Sequence, residues 1–354
     1  MHPILAINPG YTTTKVAMYD GRQPLFAESI AHSADDLAPF ARVTDQYPLR
    51  RDAVLSALAR HDVETSSLSA VVGRGGLLRP IPAGTFRIND RMLAELRAPG
   101  LREHASNLGA IVAHEIAARH GLPSYIVDPV CVDEFEPVAR ISGLPEIERR
   151  SLSHALNLKA TARTAAADLG RPYADLDLVV VHMGGGISVS AHHRGRMVDV
   201  NQALDGTGPF APERAGGLPV GDVLRLAFYS GQTYDELFRR VAGRGGLVAH
   251  LGTNDAQEVE RRIHEGDEHA LLVYRAMAYQ IAKEIGAMAT VLNGQVDAVV
   301  LTGGLAHSEM LVTWLRHGVG WIAPILVYPG QDEMKAMVEG VLRVLEGRES
   351  AQDY

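Results

Sequence analysis

The sequence predicts an α/β protein built from two similar halves. A strand–glycine–strand hairpin occurs over residues 4–21 and a second one over residues 178–191. Later in each half an Ala-Val-Val strand leads to Gly-Gly-Leu, over residues 69–77 and again over residues 297–305. Helical patterns separate these strands, which is typical of the α/β class. Because duplicated α/β folds place ligands at strand ends between the halves, we expect two lobes around a cleft.

The hairpin of the first half consists of an apolar run at 4–7 that ends in Asn8, a turn, and a returning strand. Its turn contains Gly10 and the hydroxyl residues Thr12 and Thr13. Taken alone, it is as compatible with an ordinary hairpin as with a ligand-binding turn. Its repetition in the second half favours ligand binding.

The hairpin of the second half contains three consecutive glycines, Gly184, Gly185 and Gly186. They follow an apolar, mostly β-branched run at 178–181 and precede an alternating strand at 187–191, so they occupy the turn. Glycines are free to adopt positive φ and can bring N–H groups close to an anion such as phosphate. The Gly- and Pro-rich loop at 205–217 then carries Arg214. We interpret these features as a phosphate-binding hairpin facing an anion-binding arginine loop.

Helices are predicted between and after these strands, from apolar spacing close to the helical period. They cover residues 104–120, 151–169, 222–229, 234–242, 267–292, 307–317 and 332–347. The last helix follows a Pro-Gly break at 329–330, and we expect it to return to the first lobe. The predicted domains are therefore 1–130 together with about 332–354, and 131–331.

Composition limits the classes of protein to which the chain can belong. A formal net charge of −8 argues against a nucleic-acid partner. The single cysteine, Cys131, excludes an intramolecular disulfide framework and suits a reducing cytosol. No apolar run approaches the ~20 residues of a membrane span. We therefore expect a cytoplasmic protein with a small-molecule substrate.

Several common active-site motifs are absent from the sequence. Gly-Lys never occurs, so there is no Walker A loop, and no G-x-G-x-x-G opens a helix. The His-Met-Gly-Gly-Gly run resembles an esterase oxyanion loop, but no G-x-S-x-G accompanies it. A divalent ion held partly by substrate phosphates needs few protein ligands, and Asp128, Asp332 and Glu333 could supply them. The latter two could instead cap the last helix.

Two arginines and two histidines are further candidates for site residues. Arg74 and Arg214 lie among glycines, where a guanidinium can reach a carboxylate or a phosphoryl oxygen bidentately. For any single arginine, a surface position is the usual alternative. His154 and His182 could donate hydrogen bonds to a transferring phosphoryl group, although a lone histidine is more often structural.

Segments along nearly the whole chain resemble the butyrate kinases of the acetate kinase family. That family belongs to the superfamily of sugar kinases, heat-shock chaperone ATPases and actin. The segments are INPGYTTTK, VVGRGGLLRPI, HASNLGA, DPVCVDEFEPVARISGLPEIERRSLSHALN, HMGGGISV, DVNQALDGTGPFAPERAGGLP and LTGGLAHS. The resemblance implies a duplicated RNase H-like (actin-like ATPase) fold. It also implies reversible, Mg²⁺-dependent transfer of phosphate from ATP to butyrate, giving butyryl phosphate and ADP.

The resemblance also assigns roles to individual residues. The implied catalytic residues are Arg74, Asp128, His154, His182 and Arg214. The implied ATP-binding residues are Asn8, Gly10, Thr12, Thr13, Gly184, Gly185, Gly186, Gly303, Gly304 and Leu305. Asn8, Asp128, Asp332 and Glu333 are the implied metal residues, with the choice within the last pair open. One departure from the family is Tyr11, where butyrate kinases usually have Ser.

The expected acyl pocket and oligomer complete the prediction. Acetate kinases carry bulkier apolar residues near Gly76 and Ser153, so small residues at Gly75, Gly76 and Ser153 predict a longer or branched acid. The first lobe would bind the acyl substrate and phosphate, and the second the nucleotide. A homodimer or larger homo-oligomer is implied. The alternatives are a kinase for another short carboxylate, such as propionate or isobutyrate, and a non-catalytic nucleotide-regulated protein of the same fold.

Overall fold

The chain divides into two units, each built around one mixed β-sheet. The computed structural model describes residues 2–98 and 104–354. Unit 1 consists of Met1–Val132 and Asp332–Tyr354, and unit 2 consists of Asp133–Gln331. Strands and helices alternate in both units, so the predicted α/β class is confirmed.

The strands and helices are numbered in chain order. The strands are β1 (Pro3–Pro9), β2 (Thr13–Asp20), β3 (Gln23–Ala31), β4 (Ala70–Gly73), β5 (Thr85–Arg87), β6 (Ser124–Val127), β7 (Asp177–Met183), β8 (Ile187–His193), β9 (Arg196–Val200), β10 (Ala298–Gly303), β11 (Ile325–Pro329) and β12 (Gln352–Asp353). The helices are α1 (Ala34–Leu37), α2 (Tyr47–Arg60), α3 (Asp90–Arg97), α4 (Asn107–Ala118), α5 (Pro137–Arg140), α6 (Ala155–Asp168), α7 (Val220–Tyr229), α8 (Tyr234–Val241), α9 (Gly246–Leu251), α10 (Ala256–His264), α11 (Glu268–Val291), α12 (Glu309–Val319) and α13 (Glu333–Leu345).

The two sheets repeat one strand pattern, so the predicted duplication is confirmed. The order in unit 1 is β12-β5-β6-β4-β1-β2-β3, and the order in unit 2 is β11-β10-β7-β8-β9. In each unit an antiparallel hairpin (β1–β2 or β7–β8) lies beside a parallel strand that comes later in the chain (β4 or β10). Ile4 pairs with Ala70 as Leu178 pairs with Ala298. In this register Asn8 and His182 occupy equivalent strand-end positions.

The core of unit 1 forms where helices pack against the central strands. β1 and β4 are continuous apolar runs, as expected for strands buried on both faces. α4 packs against β4, and α13 packs against β1. The final helix of the chain thus belongs to unit 1 although it follows all of unit 2.

The core of unit 2 is built around α11. The buried residues of this helix recur at helical spacing, from Ala270 through Tyr274 and Met277 to Ile281 and Ile285. The side chain of Asp267 accepts a hydrogen bond from the N–H of Ala270 and caps the helix. By contrast, α7 has no buried residue, although its sequence is amphipathic.

Candidate active site

In unit 1 the structure brings Asn8, Arg74 and Glu333 together. Asn8 lies near the end of β1, and Arg74 directly follows the parallel strand β4. Asn8 Nδ2 donates to Glu333 Oε2 at 2.6 Å, and Arg74 Nη2 lies 3.3 Å from Glu333 Oε1. Because β1 and β4 are adjacent parallel strands, their carboxyl ends meet at one edge of the sheet, where ligands usually bind.

The Arg74 side chain is buried and only partly paired. The residue is 6% exposed. Its Nη1 atom has no hydrogen-bond partner within residues 2–98 and 104–354. A buried polar atom without a partner is costly, and an anionic ligand that reached this nitrogen would remove that cost. Arg74 was singled out from its glycine neighbours, and its role in a site stays a prediction.

Close backbone packing explains the glycines around Arg74. A Cβ atom on Gly73 would lie 2.1 Å from the carbonyl oxygen of Gly109 in α4. At Gly75 it would lie 2.5 Å from Cβ of Pro129, and at Gly76 it would lie 2.4 Å from Oδ1 of Asn107. The space beside Gly75 and Gly76 is therefore filled by protein. Their lack of side chains holds Arg74 in place and is not by itself a reason to expect room for a longer acyl chain.

The two acidic residues at the start of α13 have different roles. Asp332 is the N-cap, and its Oδ1 accepts the N–H of Lys335 at 2.8 Å. Glu333 instead contacts Asn8 and Arg74. Asp128 directly follows β6, the strand beside β4, and its Oδ1 accepts the N–H of Gly84 at 2.7 Å. Of the four predicted metal residues, the structure thus brings Asn8 and Glu333 into contact.

The turn of the first hairpin combines a backbone hydrogen bond with two exposed side chains. Gly10 N–H donates to the carbonyl of Thr13 at 2.8 Å, closing the turn. The Tyr11 ring is 59% exposed and makes an edge contact with the ring of His104 at a centroid distance of 5.4 Å. Thr12 is exposed as well. The tyrosine that departs from the family pattern thus projects from the turn.

In unit 2 the glycine turn and the arginine loop are in contact. A Cβ atom on Gly186 would lie 2.1 Å from Nη1 of Arg214, so the guanidinium rests on the glycine backbone. Arg214 Nη1 also donates to the carbonyl of Ala203. Glu213 N–H donates to the carbonyl of Gly185 at 3.2 Å. The structure thus places the glycine hairpin and the arginine loop in contact, and their binding of an anion stays a prediction.

The three glycines of this turn are required by contacts and not by backbone conformation. None of Gly184, Gly185 and Gly186 adopts positive φ, although the sequence allowed it. A Cβ atom would lie 3.0 Å from His182 Nε2 at Gly184 and 3.3 Å from Glu213 Oε2 at Gly185. Side chains of the site therefore occupy the space beside each glycine.

The two predicted histidines stack on each other beside this turn. His182 is 2% exposed and follows the apolar part of β7, while His154 immediately precedes α6. Asn157 Oδ1 lies 2.7 Å from His182 Nδ1, and Ser188 Oγ lies 2.9 Å from His154 Nδ1. Since a carbonyl oxygen can only accept, the Nδ1 atom of His182 carries a proton.

The remaining predicted residues of unit 2 lie at the end of β10 and in the core. Gly303 has a φ of 91°, and a Cβ atom there would lie 2.4 Å from the carbonyl of Met183, so glycine is required. Gly304 follows it in open space. The Leu305 side chain is part of the unit 2 core, so any ligand contact it makes is through its backbone. Ser153 is also buried, with Oγ 4.0 Å from Met197 Sδ.

Some residues of these clusters were not predicted. Asn157, three residues after His154 in the chain, orients His182. Glu213 places a carboxylate beside Gly185 and accepts a hydrogen bond from Asn254 Nδ2 at 2.6 Å. In the sequence, the position of Glu213 next to Arg214 could have indicated that Glu213 belongs to this cluster. Among the helices that the structure describes, none is long and apolar enough to cross a membrane.

Part of the chain is similar to a known protein family. Residues 147–316 match the model of the Acetokinase family. This segment contains His154, His182, the glycine turn, Arg214 and Gly303, which are the predicted site residues of unit 2. The unit 1 cluster of Asn8, Arg74 and Glu333 lies outside the matched segment.

Solved structures extend the similarity of fold to the whole chain. Porphyromonas gingivalis acetate kinase matches with a TM-score of 0.82 and 18% identity, over 98% of this chain and 100% of that chain. A propionate kinase from Francisella tularensis subsp. tularensis SCHU S4 matches with a TM-score of 0.78 and 18% identity, over 96% and 99%. The ROK hexokinase from Thermus thermophilus matches with a TM-score of 0.50 and 15% identity, over 98% and 99%. The fold is therefore the two-lobed one that acetate kinase shares with the ROK sugar kinases.

Proposed function

We propose that the chain is an ATP-dependent carboxylate kinase that phosphorylates butyrate or a similar short acid. The observation that carries this proposal is the contact of the Arg214 guanidinium with the glycine turn, inside the acetokinase-family segment. Such an arrangement offers backbone groups and a fixed positive charge to the same phosphate. The partly paired guanidinium of Arg74 offers a second anion site, suited to a carboxylate.

The proposed reaction is a direct in-line transfer. One carboxylate oxygen of the acid attacks the γ-phosphorus of ATP, the bond to the β,γ-bridging oxygen breaks, and ADP leaves with its electron pair. A carboxylate is already deprotonated at neutral pH, so the reaction needs no general base. Catalysis then depends on positioning and on neutralising the charge of the phosphoryl oxygens.

Each cluster is assigned a part in this reaction. Arg74 orients the carboxylate through Nη1, and Arg214 together with His154 stabilises the equatorial phosphoryl oxygens. His182 supports the His154 ring by stacking and is itself oriented by Asn157. The backbone of the glycine turn and the turn of the first hairpin bind phosphate groups, and the Gly303–Gly304 strand end binds the adenosine. Asp128, which accepts the N–H of Gly84, would hold Mg²⁺ or fix an arginine.

Mg²⁺ is compatible with the donors near Asn8. In the part of the chain that the structure describes, no three His, Cys, Asp or Glu side chains form a metal cluster. Mg²⁺ in kinases commonly takes only one or two protein oxygens and completes its shell with phosphates and water. Asn8 donates through its nitrogen to Glu333, which leaves the amide oxygen and the glutamate as candidate ligands. The ion would neutralise charge on the phosphates.

The acid is proposed from sequence resemblance alone. The contacts of Gly75 and Gly76 with Pro129 and Asn107, and of Ser153 with Met197, account for these small residues without a larger acyl pocket. Butyrate and isobutyrate remain the preferred substrates, and propionate or acetate are the alternatives. Where the acids differ by one methylene, we expect discrimination of only about 10–200-fold.

We also propose that the protein forms homo-oligomers through α7. Large apolar side chains on this helix are exposed, including Val220 (72%), Phe228 (77%) and Tyr229 (85%). A helix that exposes this many large apolar side chains is typical of a protein interface. Phe228→Asp should shift the sedimentation coefficient towards that of the monomer, whereas Asp222→Asn on the same helix should not.

Trapping the acyl phosphate with hydroxylamine tests the proposed activity directly. The purified protein is incubated with ATP, Mg²⁺ and each of a series of C2–C6 acids, and acyl hydroxamate is measured. A carboxylate kinase gives hydroxamate that depends on both ATP and acid, with kcat/KM highest for C4 acids. Equal values for acetate and butyrate would refute the preference, and absence of hydroxamate with every acid would favour a non-catalytic nucleotide-regulated protein.

A further inference from the structure

Arg50 on α2 is a buried arginine that makes no ion pair with any residue in 2–98 or 104–354. The residue has 0% exposed surface. Nη1 donates to the Thr13 carbonyl (2.7 Å) and Thr14 Oγ1 (3.1 Å), and Nη2 donates to the Tyr11 carbonyl (2.8 Å) and Gln46 Oε1 (2.9 Å). All four acceptors are uncharged. Nε is buried and has no hydrogen-bond partner within the same residues.

A buried charge without a counter-ion is expensive to keep. Aspartate, glutamate and lysine usually escape this cost by changing protonation, but arginine stays charged at any physiological pH. Burial lowers the pKa of Arg50 only from a very high starting value. The residues that the structure describes thus hold a positive charge behind the first hairpin turn and supply no matching negative charge.

Neighbouring polar groups do not supply that negative charge. Thr14 Oγ1 accepts from Arg50, so its proton is directed to His32 Nε2 at 2.8 Å, and His32 is an acceptor there. Burial, followed by the charge of Arg50, lowers the pKa of His32, which keeps the imidazole neutral. The carboxylate that acts on His32, Asp36, is exposed and is engaged by Ser33 at 2.7 and 2.9 Å.

Arg50 also sets the orientation of the turn. The carbonyls of Tyr11 and Thr13 point to its guanidinium, and the Thr12 carbonyl accepts the N–H of His32 at 2.9 Å. Three successive carbonyls of the turn are thus engaged by the protein and point away from a ligand on the other side of the turn. Oriented peptide dipoles in front of a fixed cation form a strongly anion-selective surface.

Building on the proposed function, we propose that Arg50 is a positioning residue for the phosphates of ATP. Its charge is neutralised when a phosphate binds at the Tyr11–Thr13 turn. Arg50 does not touch the nucleotide, because the peptide groups of the turn lie between them. Arg50 therefore acts through the orientation of those peptide groups and through its charge. It serves the binding of phosphate and not the binding of the carboxylate.

Two substitutions separate this role from a purely structural one. Arg50→Met approximates the length of the side chain and removes its charge. Arg50→Lys keeps the charge and loses the bidentate contact of the guanidinium with the turn. Arg51→Met is the matched control, because Arg51 is the next residue on α2 and pairs with Asp52 at the surface. For each variant, KM for ATP, KM for the carboxylate and the rise in Tm caused by tripolyphosphate are measured.

The proposal predicts a selective loss of phosphate binding. Arg50→Met should raise KM for ATP about 10–100-fold, as expected for hydrogen bonds to a charged group, while KM for the carboxylate stays within about twofold. The tripolyphosphate-induced rise in Tm should disappear in Arg50→Met, return in part in Arg50→Lys, and remain intact in Arg51→Met. A structural role would lower Tm and kcat without this selectivity.

Every other outcome of these measurements also decides for or against the proposed role of Arg50. An unchanged KM for ATP in both Arg50 variants overturns the proposal, and so does failure of both variants to fold, since Arg50 then serves stability alone. If only Arg50→Met fails to fold, Arg50→Lys decides the matter. Tripolyphosphate binding needs no turnover, so a dependence on Arg50 would stand even if no acid were phosphorylated and the proposed kinase activity were wrong.

Discussion

The imidazole rings of His154 and His182 stack in unit 2 with their centroids 4.0 Å apart and their planes inclined by 15°. His182 is fixed from the other side by Asn157, and His154 is fixed by Ser188. The two rings are therefore oriented as one unit. If His154 contacts the phosphoryl group, the ring of His182 determines where that contact can be made.

We predict that the two histidines contribute to kcat in a coupled way. His154→Gln should lower kcat about 100–1000-fold, as expected for loss of a donor to the transferring group, with KM for ATP changed only a few-fold. His182→Gln should lower kcat less, and the double variant should resemble His154→Gln. His193→Gln, at the exposed end of β8, is the control. Additive effects in the double-mutant cycle would show that the stack has no functional role.

We predict that Gly186→Ala inactivates the protein in the same way as Arg214→Ala. The added Cβ would lie 2.1 Å from Arg214 Nη1, so the guanidinium must leave its position. Both variants should lower kcat about 100–1000-fold with a modest change in KM for ATP. Gly143→Ala is the matched control, because a Cβ atom there would have no neighbour within 4 Å. Activity of Gly186→Ala within a few-fold of the unmodified protein would contradict the assignment of Arg214.

The two hairpins and their parallel partner strands were predictable because their signals are local. Apolar runs such as 4–7 and 178–181 form strands, and the glycines between strands mark the turns. The repetition of this pattern then indicated duplication. The resemblance of short motifs added the fold family, which the comparison with solved structures supports.

Other features depend on tertiary contacts that no local pattern contains. A glycine looks the same in sequence whether the space beside it is empty or filled, so the contacts of Gly75 with Pro129 and of Gly76 with Asn107 could not be foreseen. Arg50 stands next to another arginine on a helix, which is typical of a solvated face, yet it is fully buried. The roles of Asp332 and Glu333 were open until the helix start fixed which side chain is the cap.

We predict that Asp332 and Glu333 separate into one stability residue and one activity residue. Asp332→Ala removes an N-cap, so it should lower the free energy of unfolding by about 1 kcal/mol and leave kcat within about twofold. Glu333→Gln should lower kcat strongly, because it removes the negative charge that pairs with Arg74 and receives Asn8. Urea unfolding and initial-rate kinetics on both variants check this. The reverse pattern would assign the site role to Asp332.

Stability at acidic pH should depend on His192, a fully buried residue that plays no part in the proposed reaction. Burial, assisted by Lys159 and Arg163, holds the pKa of His192 well below its ordinary value of 6.5. Tyr173 Oη lies 2.6 Å from its Nδ1, and its Nε2 lies 2.9 Å from Ser190 Oγ, whose own proton goes to the Val180 carbonyl. The neutral ring satisfies both contacts, because Nε2–H donates to Ser190 and Nδ1 accepts from Tyr173.

The pKa of His192 is lower in the folded protein than in the unfolded chain. At pH values between these two pKa values, only the unfolded chain binds the proton. The stability that neutral His192 provides is therefore complete above pH 6.5 and is lost as pH falls below it. From pH 7.5 to pH 5 we expect the free energy of unfolding to fall, and His192→Gln should remove the part of this loss that comes from His192. Urea unfolding at both pH values measures the difference, with His193→Gln as the exposed control. An equal loss in His192→Gln and the unmodified protein would show that other groups carry the acid sensitivity.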